Sequence, residues 1–106
     1  MIYSEEKRPI IWIIDTSVFC NLLDIPGRNQ NRDEVKKMFK EMVAHGDSFL
    51  LPYTVILETG NHLGQTQGNR FKIAENFMNI IKDTLEHNAP WEFLTFPGEE
   101  NFWRWI

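Results

Sequence analysis

Short apolar runs alternate along the chain with longer stretches of helical periodicity. Residues 10–14 form a continuous run of isoleucine and tryptophan. This run predicts a strand buried on both faces, because β-branched and aromatic residues without polar alternation are typical of a covered parallel sheet. Residues 48–51 and 91–96 predict two further strands, and Pro52 ends the first of these.

The segments between and after the strands predict helices, at residues 17–23, 31–45, 54–63, 69–87 and 99–106. In the second helix, apolar residues recur every three or four positions from Val35 to Val43, which indicates one buried stripe. Asn31 occupies the N-cap position, and Glu34 stands where a capping box needs it. Gly46 is a suitable C-terminal stop.

The fourth predicted helix, capped by Asn69, is expected to be largely buried. Its apolar residues on one side are Phe71, Ala74, Phe77, Met78, Ile81 and Leu85, and Ile73 and Ile80 widen that face. The order β-α-α-β-α-α-β-α predicts an α/β fold with a central parallel sheet and right-handed crossovers. In such sheets, ligands collect at the carboxyl ends of the strands.

The composition is that of one globular domain over residues 1–106, with 42% hydrophobic and 25% charged residues. It excludes a disordered or collagen-like chain. The formal net charge of −4 is not the footprint of a protein that binds nucleic acid by phosphate neutralisation alone, so RNA would require a basic patch or bound metal ions. A single cysteine, no signal peptide and no membrane-length apolar run favour a cytoplasmic protein.

Two acidic residues carry the chemical signal. No glycine-rich phosphate loop, zinc-spaced Cys/His cluster or Gly-x-Ser-x-Gly elbow occurs. Asp15 directly follows the first strand, and Glu58 lies on the helix after the second, with Asn61 and His62 near it at helical spacing. If that helix crosses the end of the first strand, the two carboxylates converge into oxygen ligands for a hard cation.

The sequence around both acids resembles the PIN domain family. The resemblance rests on Ile-Ile-Asp-Thr-Ser-Val-Phe at 13–19 and Val-Ile-Leu-Glu-Thr-Gly-Asn at 55–61, and it extends from residue 10 to about residue 96. It implies a Rossmann-like three-layer sandwich and an endoribonuclease that uses Mg²⁺ or Mn²⁺ to hydrolyse RNA. Many members of the family are toxins of toxin–antitoxin pairs, so an antitoxin protein is an implied partner.

The family's functional residues carry over position by position. Asp15 matches the first metal-binding aspartate, Ser17 the small hydroxyl residue that supports it, and Glu58 the second acidic residue. The resemblance thus implies that Asp15 and Glu58 are catalytic and hold the metal. Thr16, Asn61 and His62 are expected to support the substrate around them.

The late part of the family pattern is not matched. PIN domains have a third acidic residue beyond the third strand region, followed by further strands. The late acids of this chain are Glu99 and Glu100, which look like first-turn helix residues stabilised by the helix dipole. The chain is therefore expected to represent a PIN-like domain truncated after its third strand.

Simpler interpretations accompany each candidate residue. Asp15 could serve as a helix N-cap, Glu58 as a surface residue and His62 as a structural histidine. The alternative function is a catalytically incomplete PIN-like module that binds RNA or a protein without cleavage. A receiver-like domain fits poorly, because paired early acids are missing.

The aromatic content is the last signal. The chain holds four Trp and eight Phe. Trp91, Trp103 and Trp105 could stack on bases, although packing in a core or interface is favoured. So many aromatic residues in a short chain predict an apolar patch that needs cover, and hence a homodimer or a complex.

Overall fold

Three short parallel strands form a sheet with the spatial order β1-β2-β3. The computed structural model describes residues 8–66, 68 and 70–93. Within that part the elements are β1 (Ile11–Ile13), α1 (Thr16–Leu23), α2 (Arg32–His45), β2 (Ser48–Leu51), α3 (Tyr53–Gly64), α4 (Arg70–Leu85) and β3 (Trp91–Phe93). None of these helices is long and apolar enough to cross a membrane. The predicted α/β class, parallel sheet and element order are confirmed for this part.

Several predictions concern residues outside the described part. These are the Asn69 cap, residues 94–96 of the third strand, the acids Glu99 and Glu100, the helix at 99–106, and Trp103 and Trp105.

The helices of the described part share one core on one face of the sheet. Trp12 lies beside Phe49 in the register, and Phe49 beside Trp91, so these three side chains share a face. Buried residues from α1, α2, α3 and α4 belong to the same cluster as Phe49 and Trp91. Successive crossovers in a β1-β2-β3 order run in the same direction, and right-handed crossovers then fall on the same face. The buried faces of the four described helices therefore meet the same face of the sheet.

Aromatic rings fill the centre of this core. The ring centroids of Phe39 and Phe49 are 4.4 Å apart, and those of Phe49 and Trp91 are 5.4 Å apart. Phe19 of α1 reaches Trp91 at 5.9 Å and Phe77 of α4 at 6.0 Å. Trp91 is buried, which confirms its packing role.

The prediction that the first strand is buried on both faces is wrong for the described residues. Ile11 and Ile13 are 66% and 65% exposed, whereas Ile14, just after the strand, is buried. Within that part, β1 is an edge strand, and the helices pack on the face of the sheet opposite to Ile11 and Ile13. A continuous apolar run cannot reveal how many faces of a strand are covered.

The predicted core face of α4 is also partly wrong. Phe71, Met78 and Leu85 are exposed. The helix instead turns a neighbouring face inward, whose residues are Ile73, Phe77, Ile80 and Thr84. Both faces have helical spacing, and packing against α3 and β3 selects between them.

The start of α2 is as predicted, but its cap is different. Asn31 precedes Arg32 at the helix start, yet its side chain makes no capping hydrogen bond. The backbone N–H of Asn31 instead donates to Oδ1 of buried Asn21, at 2.8 Å. Asn21 also donates to the carbonyl of Ser17, so a side chain of α1 fixes the entry to α2 and takes the place of the expected capping box.

A buried carboxylate, that of Asp47, joins the start of β1 to the loop before β2. It accepts hydrogen bonds from the backbone N–H of Ile10 at 2.8 Å, from Nε1 of Trp12 at 2.8 Å and from Nδ1 of His45 at 2.6 Å. Burial alone would raise the pKa of Asp47, but these three donors and the charge of His45 outweigh it and lower the pKa from 3.8 to about 2.

Asp47→Asn is expected to lower the thermal unfolding midpoint at pH 7 by several degrees, because an amide cannot accept all three donors. The depressed pKa also makes Asp47 stabilise the fold fully above pH 3.8 and lose that contribution as the pH falls toward about 2. The variant should therefore show a weaker loss of stability across this range. Thermal unfolding between pH 7 and pH 2 measures both effects.

The matched control is Glu41→Gln, which removes an exposed carboxylate of α2. It should leave both the midpoint and the pH profile close to those of the wild type. A pH profile of Asp47→Asn that superimposes on the wild-type profile would contradict the anchoring role.

Candidate functional site

Asp15 lies between β1 and α1 and caps the helix. Its backbone is extended, and its Oδ1 accepts a hydrogen bond from the N–H of Val18 at 2.8 Å. The side chain is exposed. Within the described part of the chain, Oδ2 has no hydrogen-bond partner. Capping therefore uses one carboxylate oxygen of Asp15, and the other oxygen has no protein donor among the described residues.

Glu58 of α3 meets the same helix end. The hydroxyl of Thr16, the residue after Asp15, donates to Oε1 of Glu58 at 2.6 Å. This contact joins positions 42 residues apart in the chain. The structure thus brings the second predicted acid to the residue next to the first.

The packing of α1 on α3 explains this approach. Val55, Thr59 and Leu63 form the buried face of α3, at intervals of four residues. Thr59 and Cys20 are both almost fully buried, and the Thr59 hydroxyl lies close enough to lower the pKa of the Cys20 thiol slightly. Small side chains at this contact let the two helices approach closely. Glu58 then projects beside the buried face, toward the start of α1.

A polar pocket of about 360 Å³ opens next to this contact. Its lining includes Thr16, Ser17 and Glu58, together with Arg28 from the loop after α1 and His62 of α3. Nδ1 of His62 is buried without a hydrogen-bond partner among the described residues. Four of the six residues predicted for the site thus line one concavity, which we call the polar pocket.

Two of the predicted residues, Asp15 and Asn61, are exposed and are not part of the pocket lining. At about 100° per residue, His62 lies roughly 40° from Glu58 around the helix axis, and Asn61 lies about 60° away on the other side. The pocket lies on the His62 side, so the helical spacing alone could not separate the two.

Cys20 forms part of the floor of the pocket but is not a reactive nucleophile. Burial raises the pKa of its thiol above 9.0, and the smaller opposing effects of Arg28 and Thr59 do not cancel this. A protonated, buried thiol is a weak nucleophile. Cys20 is thus a small buried residue of the core.

The donor set suits a hard cation. Asp15 and Glu58 supply carboxylate oxygens, the type of ligand that Mg²⁺ and Mn²⁺ prefer. In the part of the chain that the structure describes, no group of three His, Cys, Asp or Glu residues is arranged to hold a metal ion. The described chain therefore contributes two acids to the candidate site, and Glu99 and Glu100 lie outside it.

Arg28 is the site residue that sequence reasoning missed. The signal was present in Pro26-Gly27, which fits the two central positions of a type II turn. As a local pattern, this dipeptide predicts only a break after the first helix, because it does not show where the turn places the side chain that follows it.

Two substitutions separate the capping role of Asp15 from its charge. Asp15→Ala should cost about 1 kcal/mol of unfolding free energy, because the capping acceptor is lost. Asp15→Asn should keep most of that stability, since asparagine caps about as well. Urea unfolding of the two variants and the wild type measures the difference. Equal destabilisation by both substitutions would contradict the capping geometry.

Comparison with known proteins leaves the site to be interpreted from its own residues. No family profile, curated protein or solved structure matches the chain. The conclusion from the geometry is an exposed pair of acidic residues at the carboxyl end of β1, beside a polar pocket that holds a histidine and an arginine.

Proposed function

We propose that the protein is a divalent-metal-dependent endoribonuclease of the PIN-like type, which hydrolyses phosphodiester bonds of RNA. The observation that supports this most is the hydrogen bond from Thr16 to Glu58, because it brings the second acid to the residue that follows Asp15. Two acids from distant segments that meet at an exposed strand end are typical of a site for a cation and its ligand.

The hydrogen bonds of the two carboxylates also favour a cation site. Val18 orients Asp15 through Oδ1, and Thr16 orients Glu58 through Oε1. Each carboxylate keeps a second oxygen with no protein donor among the described residues. Ligands held in this way by outer hydrogen bonds are pre-oriented for a metal.

In this proposal, Asp15 and Glu58 hold Mg²⁺ or Mn²⁺, which when bound lowers the pKa of water and stabilises charge on the phosphate. Thr16 fixes the position of Glu58, and Ser17 supports the same end of α1. The exposure of both acids lets an RNA strand approach. The cation also offsets the repulsion between RNA and a chain with net charge −4.

The proposal extends to partners and setting. We propose that the protein is a cytoplasmic toxin. Its partner is an antitoxin protein that neutralises it, or a second copy of the same chain in a homodimer. The exposed apolar residues of α4, Phe71, Met78 and Leu85, recur every seven positions and form the kind of surface that a partner buries.

One observation favours a second candidate function. The described residues bring together two acids and no third, which fits a PIN-like module that binds RNA or a protein partner without cleavage. This candidate and the nuclease differ in one respect, which is whether a phosphodiester bond breaks.

Cleavage of a labelled single-stranded RNA tests the nuclease. We expect cleavage with Mg²⁺ or Mn²⁺ that EDTA abolishes. Asp15→Asn and Glu58→Gln should each reduce the rate by at least about 100-fold, because each removes a charged ligand from the metal. Gel analysis of the products at several times gives the rates.

Glu41→Gln is the control for these rates, since it removes an exposed carboxylate of α2 outside the site. It should cleave at the wild-type rate. Cleavage that survives EDTA, or that both site variants retain, would contradict the proposal. RNA binding by the wild type without any metal-dependent cleavage would support the non-cleaving module instead.

A further inference from the structure

The polar pocket has a positively charged side chain, that of Arg28, which the proposed metal site does not use. Arg28 lines the pocket and is exposed, and its guanidinium makes no hydrogen bond or ion pair with the described residues. Its neighbour Arg32, in contrast, donates to the carbonyls of Asn21 and Leu22. Arg32 therefore has a structural role, whereas the described structure assigns none to the Arg28 side chain.

A tight turn holds Arg28 in place. The N–H of Arg28 donates to the carbonyl of Ile25 at 2.9 Å, and Gly27 has a φ of +84°. Pro26 and Gly27 thus occupy the central positions of a type II turn, which requires a positive φ at the second of them. Ile25 is fully buried, so it anchors the turn in the core. The backbone of Arg28 is therefore pre-positioned at the rim of the pocket.

The charge of Arg28 reaches into the pocket. It lowers the pKa of the Cys20 thiol at the pocket floor, although burial of that thiol has the larger opposite effect. Glu58, from α3, lies at the same pocket but forms no ion pair with Arg28. A positive group and the carboxylate of Glu58 thus stand at separate places on one concavity.

His62 adds an imidazole to the pocket lining. Its Nδ1 is buried without a hydrogen-bond partner within the described part, so a ligand meets the part of the ring that lines the pocket. Ser17 adds a hydroxyl to the same lining. The volume of about 360 Å³ lies within the range of small-ligand sites.

We infer that the polar pocket binds one nucleotide of a single-stranded RNA, next to the phosphate at the acidic pair. Arg28 binds the phosphate of that nucleotide, because a guanidinium matches phosphate oxygens in charge and geometry. The imidazole of His62, which also lines the pocket, forms a hydrogen bond with the ribose or base. This inference rests on the proposed function, which places the neighbouring phosphate of the RNA at the two acids. Binding of a nucleotide in the pocket itself requires no cleavage.

The test measures binding on a background that cannot cleave. Every protein compared in this test carries Asp15→Asn, because this substitution keeps the helix cap and removes one of the two acids. A fluorescent oligoribonucleotide is titrated in EDTA at several salt concentrations. Arg28→Gln should weaken binding about tenfold and reduce the salt slope of log K by about 0.7, the value for one phosphate contact with a single strand.

Arg70→Gln is the matched control. Arg70 is also exposed, and it donates to the carbonyl of Gly64 outside the pocket lining. Arg70→Gln should change the affinity by no more than about twofold. It should change the salt slope of log K by less than the value of about 0.7 for one phosphate contact. His62→Gln should weaken binding about threefold and leave the salt slope unchanged, because it removes a hydrogen bond and no fixed charge.

The outcomes separate this inference from the proposed function. Binding that depends on Arg28, in a protein whose wild type never cleaves RNA, supports the pocket and contradicts the nuclease. Metal-dependent cleavage by the wild type, with Arg28→Gln equal to Arg70→Gln in affinity and salt slope, overturns the pocket and leaves the nuclease standing. Absence of RNA binding on the Asp15→Asn background at millimolar RNA also overturns it.

Discussion

The buried carboxylate of Asp47 is the interaction on which the arrangement of this protein depends. β1 is short, lies at an edge of the described sheet and exposes all three of its side chains, so packing contributes little to its position. Asp47 accepts hydrogen bonds from Ile10 and Trp12, and the hydrogen bond from the N–H of Ile14 to the carbonyl of Leu50 completes the attachment to β2. Because Asp15 follows directly, the same contacts set the location of the first acid.

Two helices, α1 and α3, then position the remaining residues of the site relative to Asp15. The Asp15 cap starts α1, and the close contact of Cys20 with Thr59 brings α3 against it. Glu58 and His62, four residues apart, then face the start of α1 and the turn that carries Arg28. Each step is local, yet together they assemble groups from three distant segments.

The sequence predicts those parts of the fold that have a strong local cause. Proline and glycine punctuation and helical periodicity locate β2 and α2 closely, and the motifs after the first two strands indicate that Asp15 and Glu58 converge. The exposure of Ile11 and the choice between two faces of α4 depend on which layers cover the sheet, which no local pattern contains. Asp47 was missed because an isolated aspartate before a strand looks like a loop residue.

Direct titration tests whether Asp15 and Glu58 jointly bind a divalent cation, without reference to RNA. Mn²⁺ binding followed by electron paramagnetic resonance on the wild type, Asp15→Asn and Glu58→Gln gives the affinity of each. We expect saturable binding to the wild type that weakens at least about tenfold in both variants, since each loses one carboxylate ligand. No binding at millimolar Mn²⁺, or equal affinity in all three proteins, would contradict it.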